Sequence, residues 1–409
     1  MAKFRTLDDI NVKGKTVLVR VDFNSPVDPQ TLKVLDDTRI KAHGETTIKE
    51  LTEKGAKTVI LAHQGRPGDP DFITLQQHTE ILSKILGKPV KYVDDLCGEQ
   101  AKTAIKNLKQ GEVIVLKNTR TYADEQKSKT PEEYAKSEFI KTLAQLADVF
   151  VNDAFSAAHR AHASVVGFSA VLPTVAGRIM ERELKALNQV LESPKKPCVF
   201  ILGGAKADDS LEISKYVLKN NIADYVLTGG ITGHLFMLAN GTDLGKPNMD
   251  LLEKQGVLRL VPGIKELLVT FEGKVYAPID VAVDDNGKRK ELPVSSLPTE
   301  LPIFDIGTQT IKLYRQIIHK AKSIVISGPP GVYEKKEFLK GTKEILEAVA
   351  ASKAFSLVGG GHTIAAVQEI GLTGKISYIS TAGGALIEYL MGKTLPAVAA
   401  LEKSAKKKL

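Results

Sequence analysis

Tryptophan is absent from this 409-residue chain and aromatic residues make up only 6% of it. That is poor material for the stacking platforms of single-stranded nucleic-acid binding. The net charge of +8 is therefore read as an attraction for small anions, with no nucleic acid expected. Cysteine occurs only at Cys97 and Cys198, without companions at metal-ligand spacing. This excludes a disulfide framework and a zinc site and suggests two reduced thiols in a cytoplasmic protein. No uncharged apolar run approaches the roughly 20 residues needed to span a bilayer, and Met1-Ala2-Lys3-Phe4-Arg5 lacks the apolar core of a signal peptide, so no membrane association is expected. Repeats of solenoid period and coiled-coil heptads are missing too. So are a Gly-x-x-x-x-Gly-Lys-[Ser/Thr] loop and a Gly-x-Gly-x-x-Gly turn with a following acid, which argues against P-loop NTPases and dinucleotide-binding dehydrogenases.

The chain is longer than the roughly 250–300 residues at which one core stops growing, so two domains are expected. Strand-like apolar runs alternate with amphipathic stretches such as residues 38–54, where Ile40, Ile48 and Leu51 are interleaved with charge. That alternation predicts βαβ units and parallel sheets. The fold class is α/β: two doubly wound, Rossmann-like parallel-sheet domains joined by a long helix and hinge. The expected boundaries are 1–172 for the first domain, 173–193 for an interdomain helix, 194–392 for the second domain and 393–409 for a terminal segment. The helix rests on Val175, Ile179, Met180, Leu184, Leu187 and Val190, which recur at a 3.6-residue period after Pro173. Residues 283–302 read as loop, with a hairpin signal at Asp285-Asn286-Gly287.

The two halves end their strands differently. In the first half, apolar runs lead into Arg20-Val21-Asp22-Phe23-Asn24, His63-Gln64-Gly65-Arg66, Lys117-Asn118-Thr119-Arg120 and Asn152-Asp153. In the second half, similar runs end at Gly203-Gly204, Gly229-Gly230, Gly328-Pro329 and Gly359-Gly360-Gly361. Ligands of open α/β sheets sit beyond the carboxyl ends of the strands. The first half thus offers an Arg/His cup for a small anion, and the second offers bare N–H groups suited to phosphates.

Arg20, Arg39, Arg66, Arg120 and Arg160 lie in five separate segments, and arginine's planar fork binds carboxylate or phosphate bidentately. His159 and His162, three residues apart, lack a third ligand at fitting spacing and read as part of a cationic patch. In the second half, Gly359-Gly360-Gly361-His362-Thr363 and Thr381-Ala382-Gly383-Gly384-Ala385 each precede a helix, whose first N–H groups and positive dipole favour an anion. Lys206, just after Gly203-Gly204-Ala205, reads either as a contact to a transferring phosphoryl group or as a solvated loop lysine. An anion cup paired with a nucleotide site points to a hinge-closing phosphotransferase.

The motifs Arg20-Val21-Asp22-Phe23-Asn24, His63-Gln64-Gly65-Arg66-Pro67, Asn152-Asp153-Ala154-Phe155, Ala158-His159-Arg160-Ala161-His162, Gly203-Gly204-Ala205-Lys206, Gly328-Pro329-Pro330-Gly331-Val332-Tyr333-Glu334 and the two later glycine turns resemble, in order and spacing, the phosphoglycerate kinase family, its archaeal branch most of all. The resemblance spans nearly the whole chain. It implies a glycolytic and gluconeogenic enzyme that moves a phosphoryl group reversibly between 1,3-bisphosphoglycerate with ADP and 3-phosphoglycerate with ATP, assisted by Mg²⁺, as a monomer or homodimer. Carried over by motif, Asp22, Asn24, Arg39, His63, Arg66, Arg120 and Arg160 would bind phosphoglycerate in the first domain, with Arg20, His159 and His162 in the surrounding basic patch. Gly204, Lys206, Gly229, Gly230, Pro329, Glu334, Gly359, Gly360, Gly361, His362 and Thr363 would face the nucleotide, Glu334 at the ribose. Arg39 and Lys206, with N–H groups at Gly361 and Gly384, would stabilise the phosphoryl group in flight.

Three positions depart from the commoner family pattern: His362 in place of an aspartate that binds the metal, Ser210 in place of a second lysine, and Ser327 in place of an asparagine. The protein ligand of the metal is thereby left open, with Asp280 and Asp305 as candidates. A non-catalytic sensor of a phosphorylated metabolite, and a kinase for another small phosphorylated acid, remain as alternatives.

Overall fold

The computed structural model describes residues 3–407; Met1 and Ala2 of the N-terminal stretch, and Lys408 and Leu409 of the basic tail, lie outside the described residues. The chain forms two compact units, one of residues up to Leu184 together with those from Thr394 onward, the other Lys185–Lys393.

The first unit is built on six parallel strands, β1 (Thr16–Arg20), β2 (Lys57–Leu61), β3 (Lys91–Val93), β4 (Val113–Leu116), β5 (Val149–Asn152) and β6 (Thr174–Ala176), in the order β3-β4-β2-β1-β5-β6. Strands β4 and β5 are buried along their whole length, as expected of apolar runs covered on both faces. Val17, Val19, Ile60, Val115 and Val151 form the core with Ile40, Ile48 and Leu51. Those last three come from a helical segment in three parts, Thr38–His43, a π-helical turn Gly44–Ile48, and Lys49–Glu53. The direction of winding reverses between β1 and β5, so the ends of those strands form the switch point where a doubly wound sheet binds its ligand.

Residues 174–176, expected inside the long helix, form β6 and pair with β5, so the helix begins only at Arg178 and runs to Leu191. Val175 is therefore a core strand residue. Edge pairing outcompeted a helical periodicity that the strand's apolar residues happened to continue. The terminal helix Pro396–Ala405 packs within the first unit, where Ser404 Oγ accepts the N–H of Thr174 at 3.0 Å and Ala397 N–H donates to the Ala158 carbonyl at 3.1 Å.

The second unit repeats the parallel design with β7 (Cys198–Leu202), β8 (Tyr225–Thr228), β9 (Val275–Tyr276), β13 (Ser323–Ser327), β14 (Phe355–Gly359) and β15 (Tyr378–Ile379), ordered β15-β14-β13-β7-β8-β9. Winding reverses between β7 and β13. A second, antiparallel sheet joins β10 (Asp280–Asp285), β11 (Lys288–Pro293) and β12 (Ile303–Ile306). The hairpin turn is Asn286-Gly287, with φ of 54° and 82°, the positive pair that a two-residue type I′ turn requires. Much of the stretch expected as loop is therefore strand.

Candidate functional site

In the first unit the cup forms at the ends of β1, β2, β4 and β5. Arg20, paired in register with Leu61 and Asn152, is 1% exposed. Its Nε donates to Ser164 Oγ at 2.8 Å, its Nη1 to the Val21 carbonyl, and its Nη2 to His63 Nδ1 at 3.0 Å. Ser164 in turn donates its hydroxyl to the buried Glu125 carboxylate at 2.5 Å. Burial pulls the His63 pKa well below that of an ordinary imidazole, reinforced by Arg20, so the ring is neutral. A guanidinium can only donate, so Nδ1 of His63 accepts and its proton sits on Nε2.

Around this pair stand Arg66, which is exposed, Arg120, which is buried, and Arg160, which is half-buried. Arg120 donates from Nη1 to the Gly65 carbonyl, while its buried Nε has no hydrogen-bond partner among the described residues. Burial, then Arg160, Arg20 and Arg66, push the Arg120 pKa down to about 10. Arg160 is likewise lowered, by burial and then by Arg66, and its Nε donates to His159 Nε2 at 3.1 Å. His162, pushed down to about 3 by burial and the arginines, is neutral. A cluster whose members disfavour each other's charge gains from a multiply charged anion.

The carboxylate of Asp22 faces the same cup. Burial opposes its ionisation but is overcome by the cationic surroundings and by hydrogen bonds, so its pKa falls below the usual range. Oδ2 accepts from Arg39 at 2.5 Å and from the Ser156 hydroxyl, and Oδ1 accepts the Asn24 N–H at 3.0 Å. Asn24 Oδ1 accepts the Gly65 N–H at 2.9 Å, which ties the β1 loop to the β2 loop. Every first-unit residue expected at the site from sequence thus lies on these strand-end loops or the segments packed beside them. Ser156, Ser164, Glu125 and His43 were missed. Their only signal was proximity to the motifs, as with Ser164 two residues past His162.

In the second unit a cavity of about 610 Å³ opens beyond β7 and β13, lined among others by Gly204, Lys206, Gly230, Pro329, Glu334, Gly360, Gly361, His362, Thr363 and Gly384. Gly203 and Gly328 let the two switch-point turns meet backbone to backbone: a Cβ at Gly328, where φ is +87°, would lie 2.1 Å from the Gly203 carbonyl oxygen. Gly204 N–H donates across this junction to the Pro329 carbonyl at 2.8 Å. The glycines separate by environment. Gly229 and Gly359 do not line the cavity; their missing side chains make room for Pro330 and Leu386. Gly361 and Gly383 face open space, and no side chain caps the helices Gly361–Glu369 and Gly384–Leu390. Their first N–H groups are the ones open to an anion.

Lys206 is exposed at the cavity edge. Thr363 faces inward, its hydroxyl accepting the Gly328 N–H at 2.8 Å, so it braces a turn. Ile213, Met237, Leu251, Pro278 and Phe304 give part of the cavity an apolar wall, while Asp209, Ser210, His234, Gln255 and Asp305 line it as well.

The structure commits both candidate metal carboxylates elsewhere. Asp280 caps the helix Thr308–Lys320, accepting the N–H groups of Gln309 at 2.8 Å and Thr310 at 2.7 Å. Asp305 accepts from Arg289 at 2.7 Å, Gly341 N–H at 2.7 Å and Ile306 N–H at 2.9 Å. Burial raises the Asp305 pKa to about 6 despite Arg289, which leaves it ionised at neutral pH. His362, 78% exposed, lies 3.4 Å from Glu334 through Nδ1. Among the described residues no group of three or more His, Cys, Asp or Glu gathers to hold a metal. The donor set therefore does not fit a magnesium ion held mainly by protein carboxylates.

Two switch-point sites, one lined by arginines and one by open helix N-termini, define a two-domain phosphate-handling α/β enzyme. The family model described as phosphoglycerate kinase matches residues 7–393. A phosphoglycerate kinase of Methanothermobacter thermautotrophicus is 48% identical over 402 residues, covering 98% of this chain and 97% of that one. Another, from Methanococcus maripaludis, is 49% identical and covers 99% of both. The crystal structure of phosphoglycerate kinase from Pyrococcus horikoshii OT3 superposes with a TM-score of 0.87 at 43% identity, covering 99% of this chain and 100% of that one. The chain belongs to the phosphoglycerate kinase family.

Proposed function

We propose that the chain transfers a phosphoryl group reversibly between 1,3-bisphosphoglycerate with ADP and 3-phosphoglycerate with ATP. The observation that carries this reading is the pairing of a mutually repelling arginine cluster, buried at Arg20 and Arg120, with a separate cavity that combines open glycine turns and a partly apolar wall. The first suits a multiply charged acid and the second a nucleotide.

Arg66, Arg120 and Arg160, with the Nε2–H of His63, take the phosphate and carboxylate of the acid. Asp22, ionised and fixed by Arg39, accepts from its hydroxyl group. The N–H groups of Arg39 not given to Asp22 remain for the transferring group. The nucleotide's base lies between the apolar walls, Glu334 accepts from the ribose, and Lys206 with the N–H groups of the Gly361 and Gly384 turns meets the phosphates. Because the acceptor is a carboxylate, already deprotonated at neutral pH, no general base is needed. Catalysis then consists of positioning and charge stabilisation. Magnesium enters as part of the nucleotide substrate, MgATP or MgADP. The two sites belong to different units, so transfer requires closure about the helix that joins them. Among the described residues no helix is long and apolar enough to cross a membrane, and a cytoplasmic location agrees with the family.

A coupled assay of MgATP with 3-phosphoglycerate tests the reading, with other small phosphorylated acids as competitors. We expect turnover with 3-phosphoglycerate. Binding of both ligands without turnover would leave a sensor, and preference for another acid would leave a different kinase.

A further inference from the structure

We propose that His43 and Asp153 form a positioning relay that holds Asp22, and through it the acid substrate, from the start of the helix Arg178–Leu191. The inference rests on the phosphoglycerate site proposed above and adds to it two residues that would not touch the substrate.

The need for the relay follows from where β1 ends. Val21 N–H still finds a sheet partner, the Leu61 carbonyl at 3.0 Å. The next N–H, of Asp22, has no strand beside it, and it donates instead to His43 Nε2 at 3.2 Å. A backbone N–H can only donate, so Nε2 accepts and the ring proton lies on Nδ1. There it meets Asp153 Oδ2 at 2.6 Å. The remaining oxygen of Asp153, Oδ1, accepts the N–H groups of Ile179 at 2.8 Å and Met180 at 3.3 Å. These belong to the first turn of the helix, whose backbone donors have no partner within the helix itself. His43 is 4% exposed and Asp153 is fully buried, so water cannot substitute for either contact.

Two further observations show that the junction is built to close tolerance. A Cβ at Gly177 would lie 2.3 Å from Asp153 Oδ1, so no side chain fits beside that carboxylate. The π-helical turn Gly44–Ile48 begins directly after His43. Its wider turn sets the phase at which Thr47 and Glu50 reach the same helix start as the relay: Thr47 Oγ1 accepts the Arg178 N–H at 2.8 Å, and Glu50 takes the Arg178 guanidinium through two contacts of 2.7 Å. Arg39, which grips the Asp22 carboxylate, lies on this same segment, one turn before His43. Asp22 is thus held at its carboxylate by Arg39 and at its main chain by His43.

Replacement of His43 separates the two ends of the relay. In His43→Gln the amide oxygen takes the place of Nε2 and keeps an acceptor for Asp22. In His43→Asn the amide nitrogen takes the place of Nδ1, keeping the contact to Asp153 and losing the one to Asp22. We expect His43→Asn to raise KM for 3-phosphoglycerate on the order of tenfold, the cost of one buried hydrogen bond, with KM for MgATP unchanged. His43→Gln should restore 3-phosphoglycerate affinity to within about threefold of the parent by the same reasoning. Thr47→Val, which strips the helix start without touching Asp22, should lower the melting temperature and leave both KM values alone.

An unchanged KM for 3-phosphoglycerate in His43→Asn, or an equal rise in both KM values, would overturn the relay. Should His43→Asn fail to fold, a folded His43→Gln that loses 3-phosphoglycerate affinity about tenfold or more would overturn it as well. Calorimetric titration with 3-phosphoglycerate reads the same effect without turnover. An inactive parent protein that binds the acid would therefore count against the proposed activity, while the variants would still decide the relay.

Discussion

Nη2 of Arg20 donates to Nδ1 of His63 across 3.0 Å, and that contact decides which nitrogen of the ring carries the proton. With burial and Arg20 both lowering its pKa, His63 meets the acid as a neutral Nε2–H donor. We expect its ring resonances to show no titration between pH 8 and about pH 6, where a free imidazole would be half protonated near 6.5. A midpoint near that free value would contradict the assigned tautomer and charge.

Arg39→Ala and Lys206→Ala should each lower kcat by about 10²-fold or more, the usual result of losing one preorganised donor to a transition state. The Lys206 variant should keep its affinity for 3-phosphoglycerate, since Lys206 belongs to the second unit and Arg39 to the first. Near-normal kcat in both would remove them from the phosphoryl path.

Acid should weaken the fold well before its carboxylates are neutralised. Burial pushes His78 and His234 down to about 4 and, with lesser help from the arginines, His162 to about 3. Each binds its proton in the unfolded chain near pH 6.5 but not in the folded one, so stability present above 6.5 is lost as pH falls toward those values. Asp305, raised to about 6, works in the opposite sense, because below that pH the folded state takes up a proton first. Four lowered histidines, His63 among them, set against the raised acids Asp305, Glu125 and Asp209, should give a net fall in the urea midpoint between pH 6.5 and 4.5. A flat profile across that window would show that these rings are not held neutral.

Much of this was legible in the chain. Val17-Leu18-Val19-Arg20 announces a buried strand that delivers an arginine to a sheet end, and Gly328-Pro329 announces a glycine turn at a strand end, though not that this turn meets Gly203 backbone to backbone. The contacts that orient those groups were not legible. His43 and Asp153 stand 110 residues apart and meet only because β1 and β5 are neighbours. Asp280 and Asp305 looked like free carboxylates because nothing local shows that one caps a helix 30 residues on and the other pairs with Arg289. The start of the long helix was misplaced for a similar reason: β6 is held by distant partners, β5 on one side and the Arg5–Thr6 segment on the other.

The magnesium requirement should be insensitive to His362→Ala, Asp280→Asn and Asp305→Asn. The last two should instead lower the melting temperature, since each removes a partner from buried donors, at a cost of roughly 1–3 kcal/mol per donor stranded. A titration of activity against Mg²⁺ checks this. A large rise in the Mg²⁺ needed by a folded variant would make that residue a ligand.

Transfer itself is tested most directly by following the label of [γ-³²P]ATP, with Mg²⁺ and 3-phosphoglycerate, in the presence of hydroxylamine. The reagent captures an acyl phosphate as its hydroxamate and draws the reaction forward. We expect label to leave ATP as inorganic phosphate in step with hydroxamate formation, only when 3-phosphoglycerate is present, and not in Arg39→Ala or Lys206→Ala. Label that stays in ATP, or leaves it equally without 3-phosphoglycerate, would show that no phosphoryl group passes to the acid.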